Sequence, residues 1–143
     1  MVSGGVVVEA EVRPTEDVEK VKKAIVNLFD GIIFQEEGPR LVRGVCDSIA
    51  CLRSLHRKLR QQRILDTARS VFSRSKYGDY IEFMLNKQAA YAGKVSFVGD
   101  PAESPLGAIH VVIRHKDVDA VIDWLAPRTR HGRPLWENDI PQD

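Results

Sequence analysis

The chain has 143 residues, with 21 Lys or Arg, 20 Asp or Glu and a formal net charge of +1 at pH 7. This length is typical of one domain that buries roughly two thirds of its unfolded surface, so we expect no second core. No stretch approaches the roughly 18 apolar residues of a membrane helix, and the first residues lack the basic segment of a secretory signal. We therefore expect a soluble, cytoplasmic protein with no membrane partner.

The two cysteines, Cys46 and Cys51, are five residues apart. This spacing matches neither a Cys-x-x-Cys redox pair nor a zinc knuckle. We interpret both as small side chains in or beside the core, and we predict no metal site and no cofactor.

The first strand is predicted at residues 5–13, because apolar and charged side chains alternate through GVVVEAEVR. Such alternation is typical of a strand with one covered face. A helix should follow, beginning at Thr15 and stopping at Asp30-Gly31, since its apolar residues recur at helical spacing on one face.

A hairpin is predicted next, with strands in IIFQEE and RLVRGVCD joined through Gly38-Pro39. Turn residues between two short apolar runs are the usual signal for this motif. Asp47 or Ser48 is then expected as the N-cap of a basic helix.

Positive charge is concentrated in residues 40–80, which hold ten Lys or Arg and three Asp or Glu. Four arginines there recur at spacings of four, three and three, which places them on one solvent-facing side of a helix. Together with one lysine they form what we call the basic ridge: Arg53, Arg57, Lys58, Arg60 and Arg63. A basic ridge on a packed helix is a phosphate-binding surface, and the alternative is a helix face that is arginine-rich only for solubility.

Leu52, Leu55 and Leu59 fall on a neighbouring line of the same helix, so we predict that they are buried beneath the ridge. Helical spacing continues through ILDTARSVFSR, with a break or bend near Gln61–Ile64. Asp66 in this segment is interpreted as a structural residue that pairs with a neighbouring arginine.

The second half of the chain predicts a strand in YIEFML, a short helical turn in NKQAAYAG and an extended piece in KVSFVG. Gly99–Pro105 is predicted to be a mobile loop. A strong strand in LGAIHVVIRH then precedes a helix capped by Asp117.

The order β-α-β-β-α-α, followed by strands and a C-terminal helix, suits a parallel or an antiparallel sheet. The hairpin and the short connections favour the antiparallel arrangement. We predict an α+β fold in a single domain over residues 1–126, with helices packed on one face of the sheet. Residues 127–143 lack periodicity and are expected to form an irregular tail, anchored in part by Trp136 and loose at its end.

A second candidate site is the corner where the strand YIEFML meets the following turn. We call Asn86, Lys87 and Gln88 the polar corner. Its amides and ammonium can contact phosphate or a base edge. The alternative is that these side chains cap backbone groups and hold the turn.

Motifs of common enzyme classes are absent from the sequence, including the phosphate-binding loop, H-E-x-x-H and G-x-S-x-G. His110 and His115 are an odd number of residues apart in one strand, so they point to opposite faces. His56 lies among cations that discourage its protonation, and we expect it to be solvated or to contact phosphate. We predict that the protein is not an enzyme.

Three segments, LHRKLRQQRILDTAR, FMLNKQAAYAGKVSF and SPLGAIHVVI, occur in this order. In them the chain resembles a small archaeal family of RNA-binding, exosome-associated subunits, over roughly residues 5 to 125. The resemblance implies an antiparallel α+β fold like that of the ribosomal protein that binds five-S ribosomal RNA, and a function on RNA. It supplies no catalytic residues, and likeness of fold alone is a weak guide to function.

Three hypotheses follow from these patterns. The first is an RNA-binding accessory protein that grips phosphates with the basic ridge and contacts RNA at the polar corner. The second is a subunit that docks onto an acidic surface of an RNA-processing complex through the same ridge. The third is an enzyme with an unrecognised site, and a homodimer through sheet edges is compatible with each of them.

Overall fold

Strands and helices alternate along the chain in the computed structural model, which describes residues 5–36, 38, 40–100 and 107–142. The strands are β1 (Gly5–Glu11), β2 (Ile33–Glu36), β3 (Leu41–Cys46), β4 (Lys76–Tyr77), β5 (Tyr80–Asn86), β6 (Phe97–Val98), β7 (Ala108–Arg114), β8 (Thr129–Arg130) and β9 (Arg133–Pro134). The helices are α1 (Val18–Leu28), α2 (Arg53–Gln61), α3 (Leu65–Arg74), α4 (Lys87–Tyr91) and α5 (Val118–Leu125), and a 3-10 turn at Ile49–Leu52 leads into α2. The predicted loop Gly99–Pro105 falls mostly outside the described residues.

Seven strands form one antiparallel sheet in the order β2-β3-β1-β7-β5-β4, with β6 paired to β5 beside β4. Strand β1 lies at the centre, where Val8 is opposite Gly44 on one side and Val111 on the other. The antiparallel α+β prediction is confirmed.

The helices cover one face of this sheet. Alternate residues of the central strands are fully buried, such as Val8, Ile81 and Ile113, whereas the residues between them are partly exposed. Leu52, Leu55 and Leu59 are fully buried in the same core, as the leucine spacing predicted. Complete burial of such side chains stabilises the fold by about 1.5–3 kcal/mol each.

Side-chain caps fix the starts of several helices. Asp17, not Thr15, caps α1 by accepting a hydrogen bond from the Glu19 backbone N–H at 2.9 Å. Ser48 caps the 3-10 turn that leads into α2, and Asp117 caps α5 as predicted. Carboxylate and hydroxyl oxygens at these positions satisfy N–H groups that have no partner within the helix.

The predicted break between α2 and α3 is present. Helix α2 ends at Gln61, and Arg63 takes a left-handed backbone conformation with φ 57°. The Ile64 N–H donates to the Leu59 carbonyl at 3.0 Å, which closes the turn. Arg63 therefore lies beyond the helix, so the basic ridge is not one continuous line.

The segment after α5 is more ordered than the sequence predicted. Strands β8 and β9 form a short hairpin within the tail that we expected to be irregular. Trp136 is 40 % exposed, and its predicted role as an anchor of the tail stays a prediction. The backbone carbonyl of Gln142 contacts His115 Nε2 at 2.8 Å and holds the end of the described chain.

None of the helices within the described ranges is both long and apolar enough to cross a bilayer.

Candidate nucleic-acid interface

Arg53 and Arg57 project from the outer side of α2. Burial of Leu55 and Leu59 fixes the rotation of the helix, so the residues on the opposite side must face solvent. Both arginines are exposed, and neither has an ion pair within the part of the chain that the structure describes. Among the described residues, the only side-chain hydrogen bond of either is a local contact of 3.4 Å from Arg57 Nη2 to Ser54 Oγ. Both guanidinium groups are therefore accessible to an external anion.

Lys58 lies on a different side of α2, facing α4. Its Nζ donates a hydrogen bond of 2.8 Å to the Gly93 carbonyl, just after the end of α4. Its ammonium is therefore engaged in a contact within the protein, and the phosphate contact predicted for Lys58 stays a prediction.

Arg60 is turned toward the protein, although we predicted that it faces solvent. Its guanidinium donates to the carbonyls of His56, Leu125 and Trp124 at 2.8, 3.0 and 3.2 Å. It also binds both carboxylate oxygens of Glu137, at 2.8 and 2.6 Å. With 20 % of its side chain exposed, Arg60 links α2 to the end of α5 and to the tail.

The contacts around Arg60 shift two pKa values. The hydrogen bond from Arg60 lowers the pKa of the Glu137 carboxyl below its ordinary value. Burial, with smaller contributions from Arg60 and Arg53, lowers the pKa of His56. The His56 ring stacks on Trp124 with centroids 4.9 Å apart, and its Nε2 is buried with no hydrogen-bond partner among the described residues. His56 is therefore a neutral packing group and not the solvated or phosphate-contacting residue we expected.

Arg63 remains accessible at the joint between α2 and α3. Its side chain is exposed, and no ion pair to it occurs among the residues that the structure covers. A positive φ is uncommon for a residue other than glycine, and here it directs the chain from one helix into the next. The accessible part of the basic ridge therefore consists of Arg53, Arg57 and Arg63.

At the polar corner, Lys87 is 3 % exposed. Its ammonium donates to the Glu11 carbonyl at 2.7 Å and to Glu16 Oε1 at 2.9 Å. A buried ammonium needs such partners because desolvation of an unpaired charge is costly. The charge of Lys87 is neutralised inside the protein, which disfavours the RNA contact predicted for it, and that contact stays a prediction.

Asn86 has the capping role that was the alternative for this corner. Its Oδ1 accepts a hydrogen bond of 2.8 Å from the Ala89 backbone N–H, at the start of α4. Gln88 is exposed and is the one polar-corner side chain that an external ligand can readily reach.

Asp66 has a structural role, but its partner is different from the one we predicted. It accepts a hydrogen bond from the Thr129 hydroxyl in β8, while Arg69 binds Asp123 Oδ1 at 2.9 Å. The first contact ties α3 to the region after α5, and the second ties α3 to α5 itself.

Sequence reasoning missed the arginines of the tail hairpin. Arg128, Arg130 and Arg133 are exposed, and none of them has an ion pair within the described ranges. The available signal was the dipeptide His131-Gly132 between two arginine-containing pairs, since residues that tolerate positive φ mark two-residue hairpin turns.

The Cys51 thiol donates a hydrogen bond of 3.5 Å to the Ser48 carbonyl. Interaction with the Cys46 thiol, together with burial, raises the pKa of the Cys51 thiol. Within the described residues, no three His, Cys, Asp or Glu side chains are grouped so that they can hold a metal ion.

Comparison with known proteins gives a consistent result. A family model described as RNA binding matches residues 5–115. UPF0201 proteins of Metallosphaera sedula and Sulfurisphaera tokodaii are each 50 % identical to this chain; each match covers 96 % of this chain and, respectively, 98 % and 97 % of the relative.

Solved structures agree with these sequence relatives. The crystal structure of a UPF0201 protein from Methanococcus jannaschii superposes with a TM-score of 0.80 at 36 % identity, covering 92 % of this chain and 98 % of that one. A second UPF0201 crystal structure gives a TM-score of 0.79 at 32 % identity, with 92 % and 99 % covered. The chain therefore belongs to the archaeal UPF0201 family, and the family model that it matches is described as RNA binding.

Proposed function

We propose that the protein binds RNA through the exposed arginines at the outer side and C-terminal end of α2, without catalysing a reaction on the RNA. The observation that carries this proposal is the set of three accessible guanidinium groups of Arg53, Arg57 and Arg63. No acidic side chain among the described residues pairs with them. The match to a family model described as RNA binding supplies the class of partner.

The arginines are suited to phosphate and not to sequence recognition. Guanidinium groups bind phosphate oxygens in a bidentate manner, and contacts to the backbone of a nucleic acid fix its position without selecting bases. Three accessible arginines support an interaction that varies little with RNA sequence. Gln88 is the remaining exposed amide of the polar corner, and we propose it as a candidate base contact.

The positions of His110 and His115 support binding without catalysis. His110 is exposed on the sheet face that lacks helices, whereas His115 is buried and held by the Gln142 carbonyl and the Asp117 N–H. They lie on opposite faces of the sheet, so they do not form a joint acid–base pair.

A filter-binding titration with single-stranded and double-stranded RNA at two salt concentrations tests the proposal. The parent protein should bind, and its affinity should fall as salt rises, with about 0.7 in the log–log slope for each single-strand phosphate contacted. The variant Arg53→Ala/Arg57→Ala should weaken binding to all sequences and lower the slope by about 1.4. A matched loss of two charges is Lys20→Ala/Arg40→Ala, because both residues are exposed on α1 and on the β2–β3 connection.

Three results would contradict this proposal. Binding that is independent of salt would exclude phosphate contacts as its source. Equal weakening by Arg53→Ala/Arg57→Ala and by the Lys20→Ala/Arg40→Ala control would show only a general effect of net charge. Without RNA binding by the parent, the basic ridge would be better explained as a docking surface for an acidic protein.

Attachment to an RNA-processing complex such as the exosome, and assembly into a homodimer, stay predictions of the sequence. Affinity purification from a native archaeal host would test the first. Light scattering of the purified protein would test the second. The RNA proposal is independent of both outcomes.

A further inference from the structure

The hairpin β8–β9 has a tight and well-defined turn. His131 and Gly132 have φ values of 55° and 77°. Positive φ at both central residues is the requirement of a type I′ turn, whose twist matches that of two paired strands. Thr129 pairs with Pro134 and Arg130 with Arg133, and the Leu135 N–H donates to the Arg128 carbonyl at 2.8 Å. The segment is therefore a defined ribbon.

Arginines occupy one side of this ribbon. Arg130 and Arg133 are directly opposite each other, and Arg128 lies two residues before Arg130, so the three share a face. The alternation in exposure agrees, since Thr129 and Pro134 are half-buried between exposed arginines. Like charges directly opposite in a strand pair are destabilising, and no acid among the described residues offsets them. An external anion would remove this repulsion.

The opposite face of the ribbon is held against the body. Thr129 donates its hydroxyl hydrogen bond to Asp66 at the start of α3. Arg60 binds the chain on both sides of the hairpin, through the carbonyls of Trp124 and Leu125 before it and the Glu137 carboxylate after it. These contacts place the hairpin beside the joint of α2 and α3, where Arg63 is exposed.

An exposed aromatic side chain, Trp136, follows the hairpin two residues after Pro134. Trp136 is 40 % exposed, whereas Trp124 is 4 % exposed and packed on His56. Aromatic rings next to cations are the usual elements of single-strand binding, because any unpaired base can stack on such a ring while the cations hold its phosphates.

We infer that residues 128–136 are a binding element for single-stranded RNA, in which Arg128, Arg130 and Arg133 hold phosphates and Trp136 stacks on an unpaired base. The inference rests on the proposed RNA-binding function. It adds a surface that lies beyond residues 5–115, the part matched by the family model.

The arginine part is tested with Arg130→Ala/Arg133→Ala in the full chain, titrated with an oligouridylate about twelve nucleotides long. We expect affinity to fall about 10-fold at low salt and the log–log salt slope to fall by about 1.4. The melting temperature should not decrease, because the substitution removes a repulsive pair. The Lys20→Ala/Arg40→Ala variant, which loses the same charge elsewhere, should retain most of the affinity.

The stacking part is tested with Trp136→Ala and with tryptophan fluorescence. Loss of one stacked base should weaken binding to the oligouridylate by about 5-fold to 150-fold, with little change for a duplex that offers no unpaired base. RNA should quench the fluorescence of the parent and of Trp124→Phe, but not that of Trp136→Phe. Equal effects of Trp136→Ala on both RNAs would overturn the stacking assignment.

The two proposals fail in different ways. If the parent binds no RNA, the proposed function is wrong and this inference falls with it. If the parent binds RNA in a salt-dependent manner while Arg130→Ala/Arg133→Ala retains the parent's affinity and slope, this inference alone is overturned. That second outcome would point to an acidic protein as the partner of the hairpin.

Discussion

The basic ridge and the polar corner look equally available in the sequence, yet they use their polar groups differently. On the ridge, Arg53 and Arg57 remain exposed without an ion pair in the described structure. At the corner, Lys87 is buried against Glu16, and Asn86 caps α4. The comparison shows that a charged residue is a candidate ligand contact only when the protein itself does not already use its charge.

The same contrast occurs within α2. Arg57 faces solvent, whereas Arg60, one turn later, binds three backbone carbonyls and a carboxylate. The difference comes from what lies alongside the helix, since the end of α5 and the tail pass next to Arg60. Substitutions in these residues should therefore separate into effects on stability and effects on RNA binding.

The largest effect is expected for Lys87→Ala. Its removal leaves Glu16, 11 % exposed at its side chain, as a buried carboxylate without its cation. Breaking such a pair should cost about 3–5 kcal/mol of unfolding free energy, measured by urea denaturation. The adjacent exposed residue supplies the control, because Gln88→Ala should change stability by no more than about 0.5 kcal/mol. Equal stability of the two variants would show that Lys87 is not buried in solution.

Arg60→Ala should have the next largest effect. The substitution leaves the Trp124 and Leu125 carbonyls without this donor, which should cost about 1–3 kcal/mol. Arg57→Ala should stay within about 0.5 kcal/mol and should weaken RNA binding instead. Thermal denaturation and RNA titration of both variants measure the contrast. Equal destabilisation by Arg57→Ala and Arg60→Ala would contradict the assignment of a structural role to Arg60 alone.

Asn86→Ala is expected to cost about 1 kcal/mol, because it removes the N-cap of α4. It should leave the preference among RNA sequences unchanged, since the amide oxygen is bound to the Ala89 N–H. The measurement is a melting temperature combined with binding to two RNAs of different sequence. A shift in sequence preference without a loss of stability would return Asn86 to the binding surface.

The smallest effect concerns pH. The pKa of Glu137 is lower in the folded protein than in the unfolded chain. Its contribution to folding stability is therefore fully present above the unfolded pKa and is lost as pH falls through the folded pKa. The lowered pKa of His56 acts in the same direction, because the unfolded state takes up a proton first as pH falls below about 6.5. Stability should therefore decline from about pH 7 to below about pH 4, because the Glu137 contribution is lost only below the ordinary carboxyl pKa.

Glu137→Gln should flatten the lower part of this decline. The Glu137 side chain is 48 % exposed, so its contribution should not exceed about 1 kcal/mol. Melting temperatures of the parent and of Glu137→Gln across this pH range supply the measurement. Parallel curves for the two proteins would mean that the pair with Arg60 does not form in solution.

Local patterns were sufficient to predict the fold class and the rotation of α2. Alternation identified the strands, and the spacing of Leu52, Leu55 and Leu59 identified the buried side of the helix. These features depend on residues that are close together in the chain, because helix and strand periodicity is a local property. The break before α3 was found in the same way.

Partners of the charged residues could not be predicted, because they lie far away in the chain. Lys87 meets Glu16 at a separation of 71 residues, and Arg60 meets Glu137 at 77. Neither contact leaves a periodic signal. The hairpin after α5 was missed although its strands are adjacent in the chain. Each strand has only two residues, which is too short to show alternation.

The central position of β1 affects how the protein can be synthesised. One edge of β1 pairs with β3 early in the chain, but the other edge pairs with β7, which begins only at Ala108. Until β7 leaves the ribosome, the apolar strand at the centre of the finished sheet presents a row of unpaired N–H and C=O groups. Pairing between such distant segments is slow, so a nascent chain that stalls before Ala108 would expose an edge prone to aggregation.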